Sequence, residues 1–150
     1  MRTKVAILGK LPSKYEAPFN DLTYDIWTLN THADNGILKS KRITSWFDLH
    51  STGVSPIADM TRDNFPLEEV EKLVGGRYFN NSISYMIAYA ILKGYKEIAL
   101  YGMRFTSDKE SRSQEYNNVR ELIFFAKGRG VKVTSPADEI MLREYERYGV

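Results

Sequence analysis

His50 is one of two histidines in the chain and stands near the C-end of Ile43 to His50 (ITSWFDLH), a stretch that reads as a strand. A histidine at a strand C-end serves as a general base or ligand contact, or as a structural hydrogen-bonding residue. His32 is the alternative base. Gly9-Lys10-Leu11-Pro12-Ser13 follows another apolar run. Glycine lets the backbone turn sharply or come close to a ligand, and Lys10 and Ser13 are residue types that meet a phosphate or carboxylate. One glycine is neither a P-loop nor a GxGxxG motif, so an ordinary strand-to-loop turn is the other reading. Asn30 closes YDIWTLN. It is placed to bond a base or ribose, or to close a turn with its own amide. Asn80, Asn81 and Ser82 precede a helical pattern, and any of them can cap it. The positive end of that helix favours an anion. Tyr116 and Arg120, one turn apart, are candidates to close over a bound ligand. No Asp-x-Asp motif is present, which implies no obligatory metal. The absence of cysteine excludes disulfides, zinc–thiolate sites and cysteine catalysis.

These residues need elements to position them. Lys4 to Leu8 (KVAIL) is a continuous apolar run, the pattern of a parallel strand covered on both faces. Tyr24 to Asn30 and Ile43 to His50 supply a second and third strand, and Pro56 to Met60 a short edge strand. Pro66 to Val74 is a short amphipathic helix, with proline in its first turn and Gly75-Gly76 ending it. The organising stretch is Tyr78 to Gly102. In it Ile83, Met86, Ile87, Ala90 and Ile91 share one helical face. Gly94 stops that helix, and Glu97 to Tyr101 is a buried strand. A polar loop, Met103 to Ser113, leads to a helix over Gln114–Lys127, with Ser111 and Gln114 as a capping box. Val131 to Thr134 is the last strand. Ser135-Pro136 starts a terminal helix that carries Met141, Tyr145 and Tyr148 on one face. The alternation predicts a single α/β domain: a Rossmann-like three-layer sandwich with a mainly parallel sheet and helices on both sides. In such sheets strand C-ends and helix N-ends share an edge, and ligands bind there.

At 150 residues one core is expected, and the 43% hydrophobic and 27% charged fractions are those of a globular domain. A net charge of +2 does not indicate nucleic-acid binding. The only apolar run near the N-terminus is Val5 to Gly9, too short for a signal peptide or membrane span, so a cytoplasmic protein with no membrane partner is expected.

Several separated pieces together resemble a known family. VAILGKLPS, YDIWTLN, SWFDLH, FNNSISYMIAYAILKGYKEIALYG, EYNNVR and GRGVKVTSP occur in the order found in the Rossmann-like domain of bacterial lipooligosaccharide sialyltransferases. The motility-accessory-factor glycosyltransferase-like proteins and a group of small tailed-phage proteins share the pattern. The resemblance covers most of the chain. It implies a cytidine-type nucleotide or nucleotide sugar as ligand, bordered by Gly9, Lys10, Ser13, Asn30, Asn81 and Ser82, with no separate cofactor. The family's glycine loop is Gly-Asn-Gly-Pro-Ser; Lys10 and Leu11 replace its second and third residues here. Arg104 stands where an acidic residue is usual, and Met103–Ser113 lacks the family's catalytic histidine and tyrosines. The expected function is therefore a nucleotide-binding, glycosyltransferase-like transferase with His50 as base. The alternatives are a nucleotide-binding or sequestering phage accessory protein without chemistry, and an interaction module. In the last, Tyr85, Tyr89, Tyr145 and Tyr148 would form a core or a homo-oligomer interface.

Overall fold

In the computed structural model, residues 2–29, 36–103, 110–136, 142 and 144–149 are described. Six strands form one sheet: β1 (Lys4–Leu8), β2 (Tyr24–Leu29), β3 (Ser45–Asp48), β4 (Met60–Thr61), β5 (Glu97–Tyr101) and β6 (Lys132–Thr134). Every pairing is parallel, and the spatial order is β4-β3-β2-β1-β5-β6. β1 lies at the middle of the sheet, in register with β2 and β5, with Ala6 opposite both Ile26 and Ala99. Its Val5 to Leu8 are wholly buried, as the unbroken apolar run requires of a strand covered on both faces. This is a Rossmann-like α/β arrangement.

Three α-helices are described: α1 (Leu67–Val74), α2 (Ser82–Lys93) and α3 (Glu110–Gly128). α2 begins where Asn81, in extended backbone, accepts a hydrogen bond from the Ser84 N–H at 3.1 Å. It ends at Gly94, whose φ of 89° is left-handed. Ile83, Met86, Ile87 and Ala90 are buried as their spacing predicts. Ser84 and Ala88 are buried too, because α1 and α3 both pack against the helix.

The handedness of crossovers decides where the helices lie. Connections from β1 through β4 step across the sheet in one direction, and those from β4 to β6 in the other. Right-handed crossovers therefore pass over opposite faces. α1, α2 and α3 fall in the second set, and their apolar residues share one core with Val5, Ile7, Trp27, Phe47 and Leu100. Among the described residues the first set contains 3-10 turns, Pro12–Glu16 and Leu38–Ser40, and no α-helix. They and their flanks cover Ala6, Leu8, Ile26, Trp46 and Tyr101 on the other face. Among the described residues the third layer is thus built of 3-10 turns and irregular chain in place of α-helices.

Element ends differ from expectation in places. β3 is shorter than Ile43–His50, since Thr44 already bonds Ile26 with its side chain, the Ile26 N–H donating to Oγ1 at 2.8 Å. The edge strand is Met60–Thr61, not Pro56–Met60, because residues before it form a turn closed by Ala58 N–H to Ser55 O. Pro66 precedes α1 instead of opening it. α3 starts at Glu110, so Ser111 lies inside the helix instead of before it. Residues 144–149 are not helical, and Tyr145 and Tyr148 are exposed, which removes them from the core. Met141 lies outside the described residues.

Candidate functional site

The spatial order reverses at β1: the chain leaves it towards β2 and later returns to its other side as β5. A crevice outside the carboxyl ends of β1 and β5 is the ligand seat of this topology. Gly9 to Ser13 and Gly102 meet there. The Gly9 N–H donates to Tyr101 O at 2.7 Å, and the Leu11 N–H to Gly102 O at 3.3 Å. The Gly102 N–H donates to Ser13 Oγ at 2.8 Å. A Cβ on Gly9 would stand 2.3 Å from the Gly102 carbonyl oxygen. Gly102 has φ +71°, and its own Cβ would meet Leu11 O at 3.0 Å. The close approach that Gly9 permits is therefore to Gly102, and two amides of the loop together with that of Gly102 are used in joining the two strand ends. The donors of this loop without a partner among the described residues are the exposed Lys10 ammonium and the half-buried Ser13 hydroxyl.

α2 points its N-terminus at the same edge, since a helix returning to a parallel strand runs antiparallel to it. The Asn81 side chain is the cap. Its amide nitrogen donates to Ser84 Oγ at 2.9 Å, Asn80 Oδ1 at 2.8 Å and Asn118 Oδ1 at 3.3 Å. Asn118, on α3 and buried, also accepts from the Asn80 N–H at 2.9 Å and donates to Tyr78 O at 2.7 Å. The role of Asn81 is thus to build the helix start. The Ser82 and Ile83 N–H groups, with no partner among the described residues, are the donors left to an anion. Asn118 was legible only as a polar residue on the apolar stripe of α3, one turn before Leu122.

His50 has a partner that the sequence reading did not single out. The Asp48 carboxylate accepts from His50 Nδ1 at 2.7 Å and from the His50 N–H at 3.2 Å through one oxygen. Its other oxygen accepts from the Ser55 N–H at 2.8 Å. The Asp48 side chain is fully buried, whereas His50 is 54% exposed. Burial alone would raise the Asp48 carboxyl, but the Ser55 N–H, the His50 ring and the His50 N–H together hold it below its ordinary value. A carboxylate held to Nδ1 fixes ring orientation and favours the tautomer whose Nε2 lone pair is free to take a proton. The signal available in the sequence was the D-x-H spacing at the end of a strand.

No family model, curated protein or solved structure matches the chain. The geometry brings Gly9, Lys10, Ser13 and Ser82 to one edge. His50 lies on that edge two strands from β1, about 10 Å along it at the usual strand spacing. Arg120 stacks on its own helix, its guanidinium 5.9 Å from the Tyr116 ring centre and 5.6 Å from Phe124. No described hydrogen bond or ring contact joins Tyr116 or Arg120 to Gly9, Ser13 or His50. Asn30 and His32 lie outside the described residues. Among the described residues no group of three or more His, Asp or Glu is arranged to hold a metal ion, and no helix is long and apolar enough to cross a membrane.

Proposed function

We propose that the protein binds a nucleotide, of cytidine type or its sugar conjugate, at the sheet edge outside β1 and β5, and acts there as a glycosyltransferase-like transferase. The reversal of strand order at β1 carries this reading, with the start of α2 on the same edge. Lys10, the Ser13 hydroxyl and the Ser82 and Ile83 N–H groups hold phosphate. The cytidine preference and the transfer reaction come from the resemblance of the chain to the sialyltransferases. His50 takes the acceptor proton on Nε2 while Asp48 holds the ring.

A second reading, binding without turnover, is favoured by one observation. The Gly9, Leu11 and Gly102 amides are spent on the strand junction, so the loop offers fewer donors to a transferring group than an open glycine loop would.

Calorimetry with cytidine, uridine and deoxycytidine monophosphates and a cytidine nucleotide sugar tests both. Sub-millimolar binding, with turnover that His50→Ala abolishes while binding persists, supports the transferase. Binding with the sugar nucleotide recovered unchanged supports the second reading. Absence of binding below a millimolar refutes both.

A further inference from the structure

A half-open pocket with about 80 Å³ of enclosed space lies at the same edge, away from the β1–β5 junction, lined by Leu49, Arg62, Phe65, Leu67 and Tyr85. Each lining residue comes from a chain segment leaving the sheet or entering a helix. Leu49 follows β3, Arg62 follows β4, Phe65 and Leu67 lead into α1, and Tyr85 is in the first turn of α2. Its walls are mainly apolar and it is open on one side, so it can seat one ring partly enclosed.

The aromatic wall is rigid. The Tyr85 ring is stacked on Phe79, with centres 4.5 Å apart and planes 12° apart, and meets Phe65 edge-on at 5.7 Å. Phe65 in turn packs on Tyr89, which stacks on Trp27 in the core. A wall so held loses little freedom when a ligand docks.

Two polar groups converge on this apolar space. The Tyr85 hydroxyl has no hydrogen-bond partner among the described residues. Arg62 has neither an ion pair nor a hydrogen bond among them, whereas the neighbouring Arg77 is matched by Glu71 at 3.6 Å. An uncompensated guanidinium beside an aromatic cleft is a fork for a carboxylate whose body fills the cleft.

We propose that this pocket is a binding site for a small aromatic carboxylate, separate from the nucleotide seat. The ring lies against Phe65, Leu67 and Tyr85, and the carboxylate pairs with Arg62 and accepts from the Tyr85 hydroxyl. The site does not depend on the nucleotide reading and stands if that reading fails.

The test uses benzoate, titrated into the labelled protein and followed by amide and methyl NMR shifts. Saturable shifts at Leu49 and Leu67, with a Kd of about 1 mM or tighter, are expected for a ligand of this size. Arg62→Gln weakens binding by about fivefold or more. Tyr85→Phe, which keeps the ring, weakens it about threefold, and Arg77→Gln leaves it unchanged. Both Arg62 and Arg77 are exposed, so neither variant is expected to unfold the chain. Any of three results overturns the proposal: no saturable shift at Leu49 and Leu67, equal affinity for benzyl alcohol and benzoate, or displacement of benzoate by cytidine monophosphate.

Discussion

Gly9→Ala is expected to destabilise the protein by about 3 kcal/mol, whatever the ligand. The added Cβ would stand 2.3 Å from the Gly102 carbonyl oxygen and 2.9 Å from its carbonyl carbon. Carbon–oxygen contacts settle near 3.3 Å or more, so the two segments must part by about 1 Å. Both are backbone, and no side chain can swing aside. Parting them strains Gly9 N–H to Tyr101 O at 2.7 Å and Gly102 N–H to Ser13 Oγ at 2.8 Å. Overpacking costs about 1–3 kcal/mol, and a lost hydrogen bond adds about 1 kcal/mol. Urea unfolding with an m-value of about 1.5 kcal/mol/M then shows a midpoint lowered by about 2 M at unchanged slope. Gly128→Ala is the control. No atom lies within 4 Å of its added methyl group and its φ is not left-handed, so the variant gains about 0.5 kcal/mol from chain entropy. A Gly9→Ala protein within 0.5 kcal/mol of the parent would refute the argument that Gly102 is what requires glycine at this position.

Two further outcomes follow from polar groups on the thinly covered face. Thr28 is 1% exposed and its hydroxyl has no hydrogen-bond partner among the described residues, so Thr28→Val, which keeps the branched shape, raises stability by about 1 kcal/mol; a lower thermal midpoint would show that the hydroxyl is bound. Asp48→Asn removes the charge that holds Ser55 and His50 and costs about 1–2 kcal/mol at neutral pH. Because the folded Asp48 titrates below its ordinary 3.8, its contribution is complete above about pH 4 and is lost as pH falls through the lower folded value. The stability gap between parent and variant, read from urea midpoints, must therefore close in acid; a gap unchanged down to pH 2.5 would contradict this.

The sheet and α2 were readable from local pattern because their signals are short-range. KVAIL and EIALY are uninterrupted apolar runs, and Asn81 and Gly94 sit at the two ends of a helical stripe. What periodicity does not encode is partnership across the sheet. Gly9 and Gly102 are 93 positions apart, and only the β1–β5 register brings them together, so the glycine read as room for a ligand is room for another strand end. Asn118 escaped for the same reason: its partners, Tyr78, Asn80 and Asn81, lie on a separate strap. The Asp48–His50 pair is local, but it is recognisable only once Asp48 is known to be buried. The helix boundary at Glu110 was missed because a charged, serine-rich segment carries no apolar stripe.

Strand alternation separates the two places where β3 ends in chemistry. Successive side chains point to opposite faces. Phe47 belongs to the helix-covered core and Trp46 to the thinly covered one, so Asp48 is on the Trp46 side. That face also buries Thr28, the Trp46 Nε1, which has no hydrogen-bond partner among the described residues, and Lys14, whose ammonium lies 5.2 Å from the Tyr15 ring. Short 3-10 connections cannot supply the apolar stripe that an α-helix would, and polar groups occupy the space that results. Leu49 has the parity of Phe47 and packs with the helix-side core, where it lines the aromatic pocket. The carboxylate that orients His50 and the pocket beside Arg62 thus lie on opposite sides of one strand end, with the body of the sheet between them. A ligand in the aromatic pocket would accordingly reach His50 only by passing over the sheet edge.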